Sequence, residues 1–396
     1  MAGPLDGIRV LDLTQIVSGP LATMMLVDQG AEVIKVEPVN GGDMTRLPSF
    51  AKGGMSAFYA NNNRGKRSLS IDLTKDEGLK IILDLVLDSD VFIQNFRPGA
   101  AERLGLGYED LKKIKPNLIY CSISGFGPDG PYSERPVLDP VIQGLTGIVS
   151  RQLNPQVPFP DLVRNLLADK STALTAAQAV TAALYARERT GKGQHVEVPM
   201  LDACLYFFWV DGMMDMTMLD EDATPGIRLS QIYSITNTSD GQLVYFAAND
   251  KQRFGLLRAL GRPELCEDER FNSLLAISVP ENFAALGEIV AKEFEKFKNK
   301  EIIPLLIENE VPCGPILSAE ETVEDAQVLH NEVLKVWDHP SGGKIRQPKP
   351  AARFSGTPTE FVAMAALLGE HNDEILGELN RDKSAIEKLR NEGVIL

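Results

Sequence analysis

Apolar and polar positions follow two alternating rhythms through the first third of the chain. Short β-rich runs, Ile8–Leu13 and Glu32–Val36, flank Pro20–Gln29, whose apolar residues recur at helical spacing. The three segments fit within about 30 residues, as a βαβ unit requires. The rhythm continues through helical Lys75–Leu87, apolar Val91–Phe96, helical Gly99–Lys115 and apolar Leu118–Ser122. This alternation predicts an α/β fold with a doubly wound parallel sheet. After a proline-rich loop (Pro155, Pro158, Pro160), Ala173, Ala177, Val180 and Leu184 recur at helical spacing. Gly191–Lys192–Gly193 then ends the helix before a strand at His195–Val198. Beyond Asp220 the texture changes, and Gln231–Ile235 with Leu243–Ala247 around the turn Asn237–Gly241 reads as a hairpin. Helical Glu281–Phe297 and Lys300–Asn309 follow, then a Pro/Gly run (Val311–Leu317) and a Gly/Pro-rich connection from Pro340 to Pro358 into two C-terminal helices.

Length and charge narrow this picture. A chain of 396 residues exceeds one ordinary core, so a large and a smaller domain are expected. Forty basic against 55 acidic residues give a net charge of −15, which argues against nucleic-acid or anionic-lipid partners. The apolar stretch Met200–Leu219 is interrupted by Asp202, Asp211 and Asp215, whereas a membrane span needs about 20 predominantly apolar residues. The opening MAGPLDGIRV shows no charged-then-apolar leader, and Cys121, Cys204, Cys266 and Cys313 form no C-x-x-C pair. The expectation is a reduced, cytoplasmic protein with no membrane segment and no cysteine-built metal site.

Candidate chemistry is sparse but specific. Glu37 ends the second strand where a ribose-binding acid could sit, yet the preceding turn, TQIVSGP, offers only Gly19 in place of G-x-G-x-x-G. A dinucleotide site is therefore not expected, and Glu37 reads as an ordinary strand-end carboxylate. Arg64, Lys66 and Arg67 precede one presumed strand, while Arg97 and Arg103 follow the carboxyl end of another. Arginine forks match phosphate oxygens, so these residues are either a focusing site for a phosphate-rich small molecule or a solvated surface. Asp169 directly precedes the helical KSTALTAAQAV, where a carboxylate serves as an N-cap or as a nucleophile toward an activated acyl group. The four histidines (His195, His330, His339, His371) show no metal-ligand spacing, and no G-x-S-x-G elbow is present. The run Met213, Met214, Met216 and Met218 reads as core or subunit-contact packing.

Several segments together carry a family resemblance: PLDGIRVLDLTQIVSGPLATMMLVDQGAEVIKVEP, GDMTR, NRGKRSLSIDL, NFRPG, SGFGPDGPY, RTGKGQHVEVPMLDA and LLGEHNDEIL. In this order, from residue 4 to near residue 379, they resemble the class III CoA-transferase and α-methylacyl-CoA racemase family. The resemblance implies a Rossmann-like CoA-binding domain built from both chain ends, here 1–219 and 340–396, and a smaller α+β domain with linkers at 220–339. It further implies an interlocked homodimer, no metal or permanently bound cofactor, and a CoA thioester as substrate. The transferase nucleophile falls on Asp169, and a second carboxylate of some transferases on Asp139. CoA-binding positions fall on Val17, Ser18, Ile71, Asp72, Leu73, Thr74, Asn95, Phe96, Arg97, Arg103, and on the stretch from Arg135 to Leu138. Arg164, Arg228 or Lys170 could meet the free carboxylate of a dicarboxylate substrate.

Departures from the family pattern separate its two activities. Racemases of the family show G-H-D where this chain has Val137–Leu138–Asp139, and place a glutamate near Asn249. Neither Leu138 nor Asn249 can move a proton, so the resemblance favours an acyl-CoA:carboxylate CoA-transferase over a 2-methylacyl-CoA racemase or a non-catalytic acyl-CoA-binding relative. One transferase subgroup has glutamine and arginine where Val17 and Pro38 stand, and a run of four glycines where only Gly226 is found.

Overall fold

Six parallel strands organise the larger part of the molecule: β1 (Arg9–Asp12), β2 (Glu32–Glu37), β3 (Arg67–Ser70), β4 (Val91–Gln94), β5 (Ile119–Ser124) and β6 (Gln194–Pro199). Their order across the sheet is β3-β2-β1-β4-β5-β6, the order of doubly wound nucleotide-binding sheets. The computed structural model describes residues 3–152, 157, 159–224, 226, 228–359 and 364–396, so Pro155 and Pro158 lie outside the described residues.

Neighbouring strand residues point to opposite faces, and each face has its own core. Val10, Val33, Val91 and Ile119 pack against α1 (Ser18–Val27), the long helix Leu167–Thr190 and the helix Met200–Gly212. Leu11, Ile34, Phe92 and Tyr120 pack against α2 (Asp76–Leu87) and two C-terminal helices, Asn372–Glu378 and Lys383–Asn391. Covering both faces with helices explains why the strand sequences are apolar runs rather than simple alternations. For the remaining helices used below, α3 is Asp139–Leu145, α4 is Leu167–Thr190 and α5 is Met200–Gly212. Gly191 closes α4 in the left-handed region (φ 70°), as its position after the helical run suggests.

The chain divides into two units, residues 1–217 with 331–396, and residues 218–330. The smaller unit packs Leu256, Leu257, Phe294 and Leu306 beside a three-stranded antiparallel sheet. Its helices run Asp250–Ala259, Pro280–Phe294 and Asn299–Glu308. Among the described residues no helix is long and apolar enough to cross a membrane.

Four local expectations need correction. The first hairpin arm is Thr236–Asn237, because Leu229–Ile232 is a helical turn and the Thr238 N–H closes on the Gly241 carbonyl at 2.9 Å. The Pro/Gly run contains a strand, Cys313–Pro315, which pairs with Gln242–Tyr245 from about 70 residues upstream. The stretch Gly99–Lys115 forms two helices, Ala100–Arg103 and Tyr108–Ile114, separated by left-handed Gly105 (φ 70°). Finally, Leu334–His339 and Gly343–Pro348 pair as a hairpin in the larger unit. The His339 ring holds its tip by accepting the Gly342 N–H at 2.9 Å.

Candidate active site

A cavity of about 520 Å³ opens at the carboxyl ends of β1, β4 and β5. Strand order reverses between β1 and β4, and open α/β sheets form their ligand crevice at such a switch point. Gln15, Ile16 and Ser18 reach it after β1, Asn95 to Pro98 after β4, and Ile123 to Gly125 from the end of β5. Arg135, Leu138, Asp169 and Met200 complete the parts of the wall that matter here.

Asp169 lies in the first turn of α4, whose cap is Leu166. The N-cap reading is therefore corrected: the Leu167 N–H already bonds the Asn165 carbonyl at 2.8 Å, so the chain turns into the helix before Asp169 is reached. The carboxylate is thereby left to face the start of α1, where Oδ1 accepts the Ser18 hydroxyl. Behind it, Asp139 Oδ2 accepts the Asp169 backbone N–H at 2.9 Å, and Asp139 Oδ1 accepts Gln143 Nε2 at 2.6 Å. Gln143 also bonds the Asn165 carbonyl (3.2 Å) and the Val163 N–H (2.9 Å), so α3 stitches down the segment that leads into α4.

Burial pushes the Asp169 pKa above its ordinary value. The Ser18 hydroxyl and N–H oppose that rise, while the negative charge of Asp139 adds to it. A desolvated carboxylate supported by two donors, at the edge of a cavity, keeps a reactive lone pair that bulk water does not quench.

The structure brings some predicted residues together and leaves others apart. Ser18, Asn95, Phe96, Arg97, Arg135, Leu138 and Asp169 share the cavity, whereas Asp139 is buried behind its wall. Arg97 and Arg103 are both exposed, but only Arg97 is in the lining. Arg135 lies over the Tyr132 ring at 3.5 Å. Val17 is buried, and Ile71 is buried while bridging to Ile395. Asp72 is occupied by the Thr74 N–H (2.9 Å) and hydroxyl (2.7 Å), and with Leu73 it leads towards α2, away from the lining. Arg164 is exposed and pairs with Asp161 at 3.0 Å, and Lys170 reaches Asn165 at 3.4 Å. Arg228 belongs to the smaller unit, as does Asn249, which caps a helix by accepting the Gln252 N–H at 3.0 Å.

The first basic cluster is tied up in ion pairs away from the cavity lining, with Arg64 and Lys66 buried and Arg67 half-buried. Arg64 pairs with Asp28, Lys66 with Asp12 (3.0 Å), and Arg67 with Glu32 (2.6 Å) and Glu378 (2.6 Å). Glu37 is a structural carboxylate: it accepts both forks of Arg46 at 2.7 Å, Ser68 at 2.8 Å and Tyr59 at 3.1 Å. Gly19 is needed because a Cβ there would lie 2.3 Å from the Thr14 side chain. Sequence reasoning missed Gln15, Ile16, Gly125 and Met200 as cavity residues, although all lie inside or beside the quoted segments TQIVSGP, SGFGPDGPY and HVEVPMLDA.

A doubly covered parallel sheet with a desolvated carboxylate at its switch point defines an α/β enzyme suited to acyl chemistry. Residues 5–372 match CoA-transferase family III, and the chain belongs to that family. It is 36% identical to succinyl-CoA:glutarate CoA-transferase of Mus musculus over 400 residues, covering 99% of this chain and 90% of the relative. Succinate–glutarate CoA-transferase of Agrobacterium fabrum is 34% identical, with 95% and 96% covered. A crystal structure of a CaiB/BaiF family protein from Brucella suis superposes with a TM-score of 0.82 at 33% identity, covering 96% of this chain and 100% of that one. The protein is accordingly an acyl-CoA:carboxylate CoA-transferase.

Proposed function

We propose that the enzyme transfers CoA from an acyl-CoA to a carboxylic acid with Asp169 as the covalent carrier. The observation that carries this reading is the Asp169 carboxylate itself, buried, held by Ser18 and opening onto the cavity at the switch point. Its carboxylate attacks the donor thioester carbonyl, expelling CoA thiolate and forming a mixed anhydride. The thiolate then attacks the aspartyl carbonyl, releasing the donor acid and leaving an aspartyl-CoA thioester. The acceptor carboxylate reverses both steps, so the energy of the thioester bond is retained throughout. Asp139 holds the Asp169 backbone while these bonds are exchanged. Arg97, exposed and in the cavity lining, supports phosphate recognition at the cavity mouth, with Arg103 beyond it.

Relatives are named for glutarate, oxalate and D-citramalate, all dicarboxylates, which makes succinyl-CoA with a short dicarboxylic acid the first pair to assay. Enzyme mixed with its donor should gain a CoA or acyl adduct, removed by hydroxylamine and mapped by mass spectrometry to the Asp169 peptide. A ternary complex with no modified enzyme at any time would replace this scheme by direct transfer. Run in deuterium oxide with 2-methylacyl-CoA, the enzyme should leave the α-hydrogen unlabelled, because Leu138 at the cavity and the helix-capping Asn249 carry no base.

The same reading takes the active form to be an interlocked homodimer in the cytoplasm, with no permanently bound cofactor. Tyr206 and Val210 on α5 are each more than four-fifths exposed, apolar side chains that a partner subunit would cover. Light scattering should give about twice the 43.3 kDa chain mass at all dilutions, and a mass near one chain would refute the dimer.

A further inference from the structure

The segment GDMTR, at residues 42–46, has no part in the scheme above, yet its aspartate reaches the loop that carries Ser18. The chain leaves β1 at Asp12 and enters α1 at Ser18, and between them Ile16 adopts φ 72°. That left-handed conformation is strained for a β-branched residue, and it persists only where neighbours enforce it. Two clamps do so. Asn95 accepts the Gln15 N–H at 2.9 Å and donates to the Gln15 carbonyl at 2.8 Å. Asp43 receives the Ile16 N–H on both carboxylate oxygens, at 3.2 and 3.1 Å.

Asp43 is itself held in place. Lys35 Nζ donates to it at 3.0 Å, in a pair whose two side chains are fully buried, and also reaches the Thr14 carbonyl of the same loop. The Thr45 N–H and hydroxyl each approach Asp43 Oδ1 at 2.9 Å. The Asp43 N–H bonds Glu37, which in turn holds Arg46 and Tyr59. A buried ion pair is thus directed onto one strained backbone N–H, two residues before the hydroxyl that bonds Asp169.

We propose that Asp43 is a positioning residue: through the Ile16 turn it fixes Ser18 against Asp169. This inference rests on Asp169 being the nucleophile. The groups facing Asp169 are Ser18 from α1 and Asp139 from α3, and only Ser18 is under the control of Asp43.

The test compares Asp43→Asn and Asp43→Ala with Ser18→Ala, the Asp43→Asn/Ser18→Ala double variant, and Thr45→Val, assayed with succinyl-CoA and glutarate. The Asn variant keeps the shape of the side chain, so the test survives if the Ala variant does not fold. In Asp43→Asn, kcat should fall about tenfold to a hundredfold, the scale of a small displacement of a reacting group. KM for the acyl-CoA should change by less than about threefold, since a positioning defect acts mainly after binding. The acid limb of the kcat profile should move to higher pH, as in Ser18→Ala, because Asp169 loses the donor that favours its ionised form. The double variant should be little worse than the more damaging single one. Thr45→Val, which touches Asp43 but not Ile16, should lower thermal stability without moving the acid limb. An unchanged acid limb and unchanged kcat per folded molecule in Asp43→Asn would overturn the proposal. Retained activity in Asp169→Ala would instead overturn the nucleophile assignment on which it rests.

Discussion

Replacement of Asp169 by Ala is expected to reduce CoA exchange on the order of 10⁴-fold or more, the scale seen when a covalent nucleophile is removed. The Asn variant should be nearly as inactive, since an amide at that position cannot form the anhydride. Neither change should unfold the protein. The Asp169 charge is disfavoured by burial and by Asp139, so the neutral Asn variant should melt at or above the wild-type temperature. Activity and stability therefore separate: a dead enzyme that is at least as stable points to a group retained for chemistry. Residual exchange above a few per cent, with host enzyme excluded by a tagged double purification, would remove Asp169 from the mechanism. An inactive variant that is also unfolded would leave the assignment to the adduct measurement.

The residues that were legible in the sequence share one property: their role shows in local pattern. The βαβ rhythm gives β1, α1 and β2 to within two residues, because both faces of the sheet are covered and its strands are apolar runs. Asp169 stands out because it directly precedes a helical run, KSTALTAAQAV, at the position where the resemblance puts the nucleophile. What escaped depends on partners far along the chain. Lys35 lies within EVIKVE and resembles a solvent-facing strand residue, yet it is fully buried against Asp43. Lys66 belongs to a basic run that suggests phosphate binding, and it is spent on Asp12, 54 residues away. The strand Cys313–Pro315 is hidden by its own proline and glycine, and it exists only because Gln242–Tyr245 offers an open edge. Local composition could not distinguish these buried charges from surface ones, because that distinction depends on tertiary neighbours.

The second large effect concerns one of these buried charges. Asp12 ends β1 and is fully buried; its Oδ2 accepts Lys66 at 3.0 Å and Thr23 at 2.6 Å, and its Oδ1 accepts the Thr14 N–H at 2.9 Å. Burial alone would raise its pKa, but Lys66, Lys35 and the two threonine hydroxyls outweigh burial and hold it at about 2. Replacing Asp12 by Ala leaves the Lys66 ammonium buried without its counter-charge, a change that costs about 3–5 kcal/mol. The Asn variant keeps the shape and one acceptor, loses less stability, and allows a test across pH. The folded-state pKa of about 2 lies below the ordinary 3.8, so the unfolded chain takes up this proton first. The charge of Asp12 therefore contributes about 2 kcal/mol of stability above roughly pH 4, and that contribution is lost as pH falls towards 2. Asp12→Asn cannot titrate, so urea unfolding of wild type and variant should show a stability gap that narrows steadily as pH falls below about 4. Other buried carboxylates such as Asp43 and Glu37 titrate in both proteins and cancel in the difference. A gap that stays constant through the acid range would mean that Asp12 is not held ionised by Lys66 and Lys35.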